Sequence, residues 1–352
     1  MTILVTGAAG FIGSNFVLDW CNQLSEDVVS LDLLGYAGNL ENLSFLEKNP
    51  RHYFIHGDIG NHALVSETLK KYQIRAIINF AAESHVDRSI SESKDFIETN
   101  IVGTYNLLES ARLYWQDSDK NLKQDFRFLH ISSDEVYGSL LSSDCPSNER
   151  SPYKPNSPYS ASKAAGDHLV RAWFQTYKLP VLTVNSTNNY GPYQFPEKLI
   201  PLCILNALKG KSLPLYGDGQ QIRDWLYVKD HCCAIREILK QGQIGETYNV
   251  GGCNEKTNLE VVEALCAVLD ELKPRLDSKS YRDQIVFVKD RPGHDKRYAI
   301  DASKLEYELG WKPRQNFETG LRKTVLWYLE HETWMNHIVS DEYQDWAQKQ
   351  YS

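Results

Sequence analysis

In the run Tyr159-Ser160-Ala161-Ser162-Lys163 a phenol and an ammonium stand four residues apart, so a helix beginning after Pro158 carries both on one face. A cation beside a phenol stabilises the phenolate and draws its pKa towards neutrality, which makes Tyr159 a candidate general base. Lys163 is also suited to holding a nicotinamide ribose. In isolation such a pair is more often an ordinary surface pair. The hydroxyls of Ser132-Ser133 favour chemistry, because they end a strand where a parallel sheet opens its ligand crevice.

Far upstream, Gly7-Ala8-Ala9-Gly10-Phe11-Ile12-Gly13 has G-x-x-G-x-x-G spacing between a strand and a helix. Small residues there let backbone N–H groups and the helix dipole approach a pyrophosphate. Asp32 ends the second strand, where its carboxylate can accept both adenosine ribose hydroxyls and repel the 2′-phosphate of NADP. The cofactor expected is NAD. Asp58 ends the third strand and either reaches the adenine amino group or caps a helix before Ile59.

These groups need a scaffold that brings strand ends together. Short β-branched runs at 3–6, 28–32, 53–56, 76–79, 127–132 and 181–185 alternate with helical patterns at 12–24, 63–71, 94–115 and 160–177. The fold class expected is α/β: a Rossmann-type doubly wound parallel sheet with a smaller mixed α/β substrate-binding lobe. Residues 224–228 and 247–250 read as strands returning to the sheet, and 117–124 as a polar linker. The NAD-binding domain would then comprise 1–190 plus about 225–250, and the second lobe about 191–224 and 251–352.

The chain has 352 residues and a formal net charge of −8, with no diffuse basic surface for nucleic acid or anionic membrane. No apolar run approaches the roughly 18 residues of a membrane span, and the start lacks a basic leader pattern, so a cytoplasmic location is expected. The 7 cysteines form no C-x-x-C pair and the 10 histidines no H-E-x-x-H, so neither a metal cage nor a disulfide framework is expected.

Taken together, the chain resembles the extended short-chain dehydrogenase/reductases that act on nucleotide sugars. Matching blocks cover residues 7–15, 36–39, 81–90, 98–109, 134–138, 159–173, 188–208, 221–228 and 290–301, nearly the whole length. Within that family, Asp134-Glu135 in Ser132-Ser133-Asp134-Glu135-Val136-Tyr137-Gly138 decides the branch. Epimerases and decarboxylases carry small or neutral residues there, whereas loss of water from C5 and C6 needs a carboxylate for the acidic C5 hydrogen and an acid for the C6 oxygen. In a strand the two acids would face opposite sides, so the chain must leave strand geometry after Ser133.

The resemblance thus implies NAD-dependent conversion of dTDP-glucose to dTDP-4-keto-6-deoxyglucose, with Ser133, Asp134, Glu135, Tyr159 and Lys163 catalytic. By matching position it adds Phe11, Ile12, Ile59, Ala81, Ala82, Thr99 and Asn189 to the glycines, Asp32 and Asp58 around the cofactor. It gives Ser84 to the hexose, Asn188 to phosphate, Glu197, Lys198, Pro214 and Tyr216 to thymine, and Arg223, Asn258, Arg291 and His294 to the diphosphate. A homodimer through helices near 99–115 and 160–177 is implied as well.

Two positions depart from the family pattern: Ser133 stands where Thr is usual, and Leu33-Leu34-Gly35 where Lys-Leu-Thr is usual. The first is expected to leave activity with a less constrained hydrogen bond, the second to touch NAD affinity. The alternatives are a C4 epimerase or decarboxylase on a UDP-sugar, and a non-catalytic NAD-sensing protein.

Overall fold

The computed structural model describes residues 1–339. Its strands are β1 (Thr2–Thr6), β2 (Asp27–Asp32), β3 (His52–His56), β4 (Ile74–Asn79), β5 (Arg127–Ser133), β6 (Val181–Ser186), β7 (Asn188–Tyr190), β8 (Leu213–Tyr216), β9 (Ile222–Tyr227), β10 (Thr247–Val250), β11 (Glu255–Thr257) and β12 (Ile285–Val288). Seven form one parallel sheet in the order β10-β6-β5-β4-β1-β2-β3. That is the doubly wound architecture expected, and the reversal of order beside β1 opens a crevice at the carboxyl ends of β1 and β4.

Burial on both faces explains why the central strands read as unbroken apolar runs. Ile3 and Val5 pack under Phe16 and Val17 of helix Phe11–Gln23 and under Ile235 and Ile238 of helix Val228–Gln241. Leu4 and Ile77 face the other way, onto Leu107, Leu108 and Val170. A separate core joins Tyr190, Cys203, Leu215, Trp225, Leu265, Phe317 and Tyr328 in the second lobe.

Three local expectations are corrected. The strand expected at 224–228 does not return to the main sheet: β9 pairs parallel with β7 and antiparallel with β11. Its alternation explains this, because Trp225 and Tyr227 enter the second core while Leu226 enters the first. The helix expected over 94–115 is three pieces, Ser93–Ile97, a π-helical stretch Glu98–Gly103 and Thr104–Asp117. Asn100 anchors the wide turn by exchanging hydrogen bonds with the Glu83 backbone, 2.9 Å each way, and donating to Ser162 Oγ at 2.8 Å. The linker expected at 117–124 contains a short helix, Lys120–Asp125, capped by Asp119. Among the described residues no helix is long and apolar enough to cross a membrane.

Candidate active site

After β1 the backbone turns at Gly7, where φ is +63°. A Cβ at Gly7 would lie 2.7 Å from Ala81 N, and one at Gly13 would lie 2.1 Å from the Gly7 carbonyl. Both glycines are therefore demanded by the protein's own close packing. A Cβ at Gly10 would meet only the Gly7 oxygen, at 3.3 Å, so its smallness keeps room on the cleft side. Gly10 also caps helix Phe11–Gln23 without any side-chain bond, leaving its first N–H groups for an anion. Gly7→Ala is expected to cost about 2 kcal/mol of stability through the left-handed backbone and the clash. It should also shrink the rise in melting temperature that added NAD produces, which thermal scans with and without NAD would measure.

Asp32 is buried at the end of β2, its Oδ2 accepting from Ala9 N and its Oδ1 from Leu34 N, both at 2.8 Å. Leu34 takes a φ of +54° to make that turn, and a side chain at Gly35 would meet open space. Asp58 accepts from Gly60 N at 2.7 Å, while Asn61, not Asp58, caps the next helix, His62–Tyr72. Phe11, Ile12, Ile59, Ala81, Ala82, Thr99 and Asn189 line the same cleft of about 320 Å³, with Gly7, Gly10, Gly13, Asp32 and Asp58. Buried Thr187 Oγ1, Asn189 Oδ1 and Gln194 Oε1 border it with no hydrogen-bond partner among the described residues. Glycine cradle, buried acid and orphaned acceptors fit a dinucleotide.

At the carboxyl end of β5 the chain leaves strand geometry, as the paired acids require: Asp134–Tyr137 is a turn of 3-10 helix. Ser133 caps it, its Oγ accepting from Glu135 N at 3.2 Å and donating to Asp134 Oδ1 at 3.4 Å. Asp134 is buried, and its Oδ2 has no partner among the described residues. Burial, then the Glu135 and Asp224 carboxylates, push the Asp134 carboxyl well above the usual range, so it is kept as an acid. Burial also raises Glu135, but Arg291, Arg223 and Lys198 pull it back towards the carboxylate. Burial raises both acids, but neighbouring carboxylates add to the rise at Asp134 whereas cations chiefly oppose it at Glu135.

Tyr159 and Lys163 lie on helix Pro158–Tyr177, started by a Ser157 capping box with Pro158 in its first turn. The Ser133 hydroxyl faces the Tyr159 phenol. Lys163 is buried and donates to the Ile131 carbonyl at 2.7 Å. The lowering of the Tyr159 pKa expected from Lys163 is not seen: burial first, then Glu135, hold the phenol above its ordinary range. Burial likewise brings the Lys163 ammonium down to about 8.

A second cleft, about 180 Å³, continues from the first and shares Ser84, Glu135, Asn188, Asn189, Glu197 and Lys198 with it. Its far wall holds Pro214 and Tyr216 from β8, Arg223 from β9, Asn258, Arg291 and His294. Lys198 Nζ donates to the Ser84 carbonyl at 2.8 Å. His294 Nδ1 is 2.6 Å from Asp290 Oδ1, and burial brings its imidazole down to about 4. The two clefts therefore gather all the residues singled out in the sequence.

Several further partners complete the site. Asp87 ties Arg291 and Tyr216 together, accepting from their Nη1 and hydroxyl at 2.8 and 2.9 Å. Tyr36 donates to buried Glu197 at 3.0 Å, and burial pushes the Glu197 carboxyl up to about 7. The Tyr298 hydroxyl bonds to Asp295 and lies 3.5 Å from Glu135 Oε2, with the Arg223 guanidinium 4.4 Å above its ring. Asp87, Tyr36 and Tyr298 all fall inside the matching blocks, which was the available signal.

The model of the GDP-mannose 4,6 dehydratase family matches residues 4–324. A dTDP-glucose 4,6-dehydratase of Xanthomonas campestris pv. campestris is 58% identical over 342 residues, 97% of each chain. The crystal structure of the Streptomyces venezuelae dTDP-glucose 4,6-dehydratase DesIV, with NAD and TYD bound, superposes with a TM-score of 0.86 at 44% identity, covering 96% of this chain and all of that one. A UDP-glucose 4-epimerase of Thermotoga maritima with UDP-glucose has nearly the same backbone, with a TM-score of 0.82, but 26% identity over 94% of this chain and 99% of its own. Shared fold therefore does not separate dehydratase from epimerase; the side chains at the crevice must.

Proposed function

The chain belongs to the GDP-mannose 4,6 dehydratase family, and from that membership we infer that it is an NAD-dependent hydro-lyase converting dTDP-glucose to dTDP-4-keto-6-deoxyglucose. The observation that carries the reading is the Asp134-Glu135 turn beside Tyr159: an acid kept protonated and a carboxylate ringed by cations, where an epimerase needs neither. Bound NAD⁺ supplies the oxidant at C4 and, once reduced, the reductant at C6.

In this reading Tyr159 takes the C4 hydroxyl proton while Ser133 hydrogen-bonds the same oxygen. Loss of that hydroxyl's proton and of the C4 hydrogen leaves a ketone, which makes the C5 hydrogen acidic. Glu135 removes it, and Asp134 protonates the C6 oxygen so that water departs. C5 is then reprotonated as C6 is reduced. Arg223, Arg291, Asn258 and His294 hold the diphosphate, Glu197, Lys198, Pro214 and Tyr216 the thymine, Ser84 the hexose and Asn188 a phosphate.

The labour divides with the lobes: 1–190 plus about 225–250 for the cofactor, about 191–224 and 251–352 for the sugar nucleotide, except that β9 pairs in the second lobe; residues 340–352 lie outside the described residues. A homodimer is supported by exposed apolar side chains along the expected faces, Ile97, Val102, Tyr105, Leu113 and Tyr177. The reaction belongs to deoxysugar biosynthesis in the cytoplasm.

Incubation with dTDP-, UDP- and GDP-glucose tests the reading. The alkaline absorbance of a 4-keto product should develop with the dTDP-sugar. A UDP-sugar epimerised at C4 without loss of water would establish the alternative instead.

A further inference from the structure

Lys163 carries its charge into the interior, where its ammonium meets the neutral Ile131 carbonyl. One helical turn later Asp167 is buried too, 6% exposed. Its Oδ2 accepts from the hydroxyls of Ser132 and Tyr153, each at 2.9 Å. Its Oδ1 lies 3.5 Å from Nε2 of His130, a buried residue of β5. The tautomer of His130 follows from its neighbours. Thr6 Oγ1 donates to Asn79 Oδ1 at 2.7 Å, so the Asn79 amide turns its NH2 towards His130 Nδ1, 3.2 Å away. Nδ1 accepts, and the imidazole proton therefore sits on Nε2, facing Asp167. Even the space is fitted, since a Cβ at Gly166 would come within 3.3 Å of that nitrogen.

Asp167 thus accepts hydrogen bonds from two neutral hydroxyls on one oxygen, while its other oxygen has His130 Nε2 nearby but no hydrogen bond among the described residues. The titratable groups that face it are Lys163 and Tyr159 from its own helix, His130 from β5, and Tyr137 and Tyr153 from the segment after β5; Asp134 and Glu135 lie beyond Tyr159. Among the charges that bear on Asp167, Lys163 is the cation.

We propose that Asp167 is the buried counter-ion that keeps Lys163 an ammonium, and so is a positioning residue for the oxidation at C4. The proposal rests on the reading that Tyr159 and Lys163 serve that step. The two groups stand one turn apart beside Ile131 and Ser132 of β5 without a direct salt bridge; burial lifts the Asp167 carboxyl to about 6 and lowers the Lys163 ammonium to about 8, each opposed by the other, so both are charged between those values. Without the carboxylate the ammonium loses its proton at lower pH, and oxidation should fail from the alkaline side earlier.

The test is Asp167→Asn, with single-turnover formation of reduced cofactor from dTDP-glucose followed across the neutral pH range. The alkaline limb is expected to move down by about one pH unit or more, a loss of about tenfold at a pH above the new limb, with KM little changed. Asp167→Glu should return part of the shift. An unmoved limb overturns the proposal even if rate or melting temperature falls. Should Asp167→Asn fail to fold, Tyr153→Phe removes one donor to the same carboxylate, and its acidic limb should move up; an unmoved limb again overturns it. Tyr159→Phe separates the two readings: if it still reduces the cofactor, the assignment of the oxidation step is wrong, whatever Asp167 does.

Discussion

Glu135→Gln, given dTDP-glucose, should stop after the first chemical step: the near-ultraviolet absorbance of reduced nicotinamide appears and stays, while 4-keto product falls by about 10³-fold. The amide keeps the size of the side chain and its place in the 3-10 turn that Ser133 caps, so the C4 oxidation machinery is undisturbed. What it loses is the carboxylate itself, whose unprotonated form Arg291, Arg223 and Lys198 favour against burial. Deuterium from solvent should then fail to enter C5. Wild-type turnover by this variant, or normal exchange at C5, would remove Glu135 from the role of base.

Tyr159→Phe should fail one step earlier, with no reduced cofactor and a loss of about 10²- to 10⁴-fold in product. Binding of dTDP-glucose, followed by calorimetry, should barely change, because the residues proposed to hold the diphosphate and base line the second cleft. The burial that holds the Tyr159 phenol above its usual range means that the resting side chain is neutral. Its proton has to leave in step with the reaction that consumes it, so substrate must be in place before Tyr159 acts as a base. A variant that binds substrate poorly but oxidises what it binds at the normal rate would contradict this assignment.

Much of this was legible in the sequence because it is local. The glycine turn, the Tyr159–Lys163 spacing and the adjacent acids after Ser133 each lie within a few residues, and each is positioned by one element. The requirement that the chain quit strand geometry at Asp134 followed from side-chain alternation alone. What escaped depends on distance or burial. Tyr36 meets Glu197 across 161 residues, and Asp87 meets Arg291 across 204, with nothing local to mark either pair. The pairing of β9 was misjudged because an alternating run fits any sheet with a core on each side; only the partners decide which. The pKa of Tyr159 went the other way because burial, and after it the Glu135 carboxylate, raise it, and how deeply the helix seats against β5 is not marked in the local spacing.

The position of β9 has a bearing on how such a chain can change over generations. Trp225 and Tyr227 belong to one core and Leu226 to the other, so successive positions of this strand are constrained by the packing of both lobes and are costly to vary. Glu197, Lys198, Arg291 and His294 line the second cleft from connecting segments, where variation is tolerated. Descendants that accept a different nucleotide or hexose while keeping the cofactor chemistry are therefore most readily reached through those segments, with β9 inherited nearly unaltered.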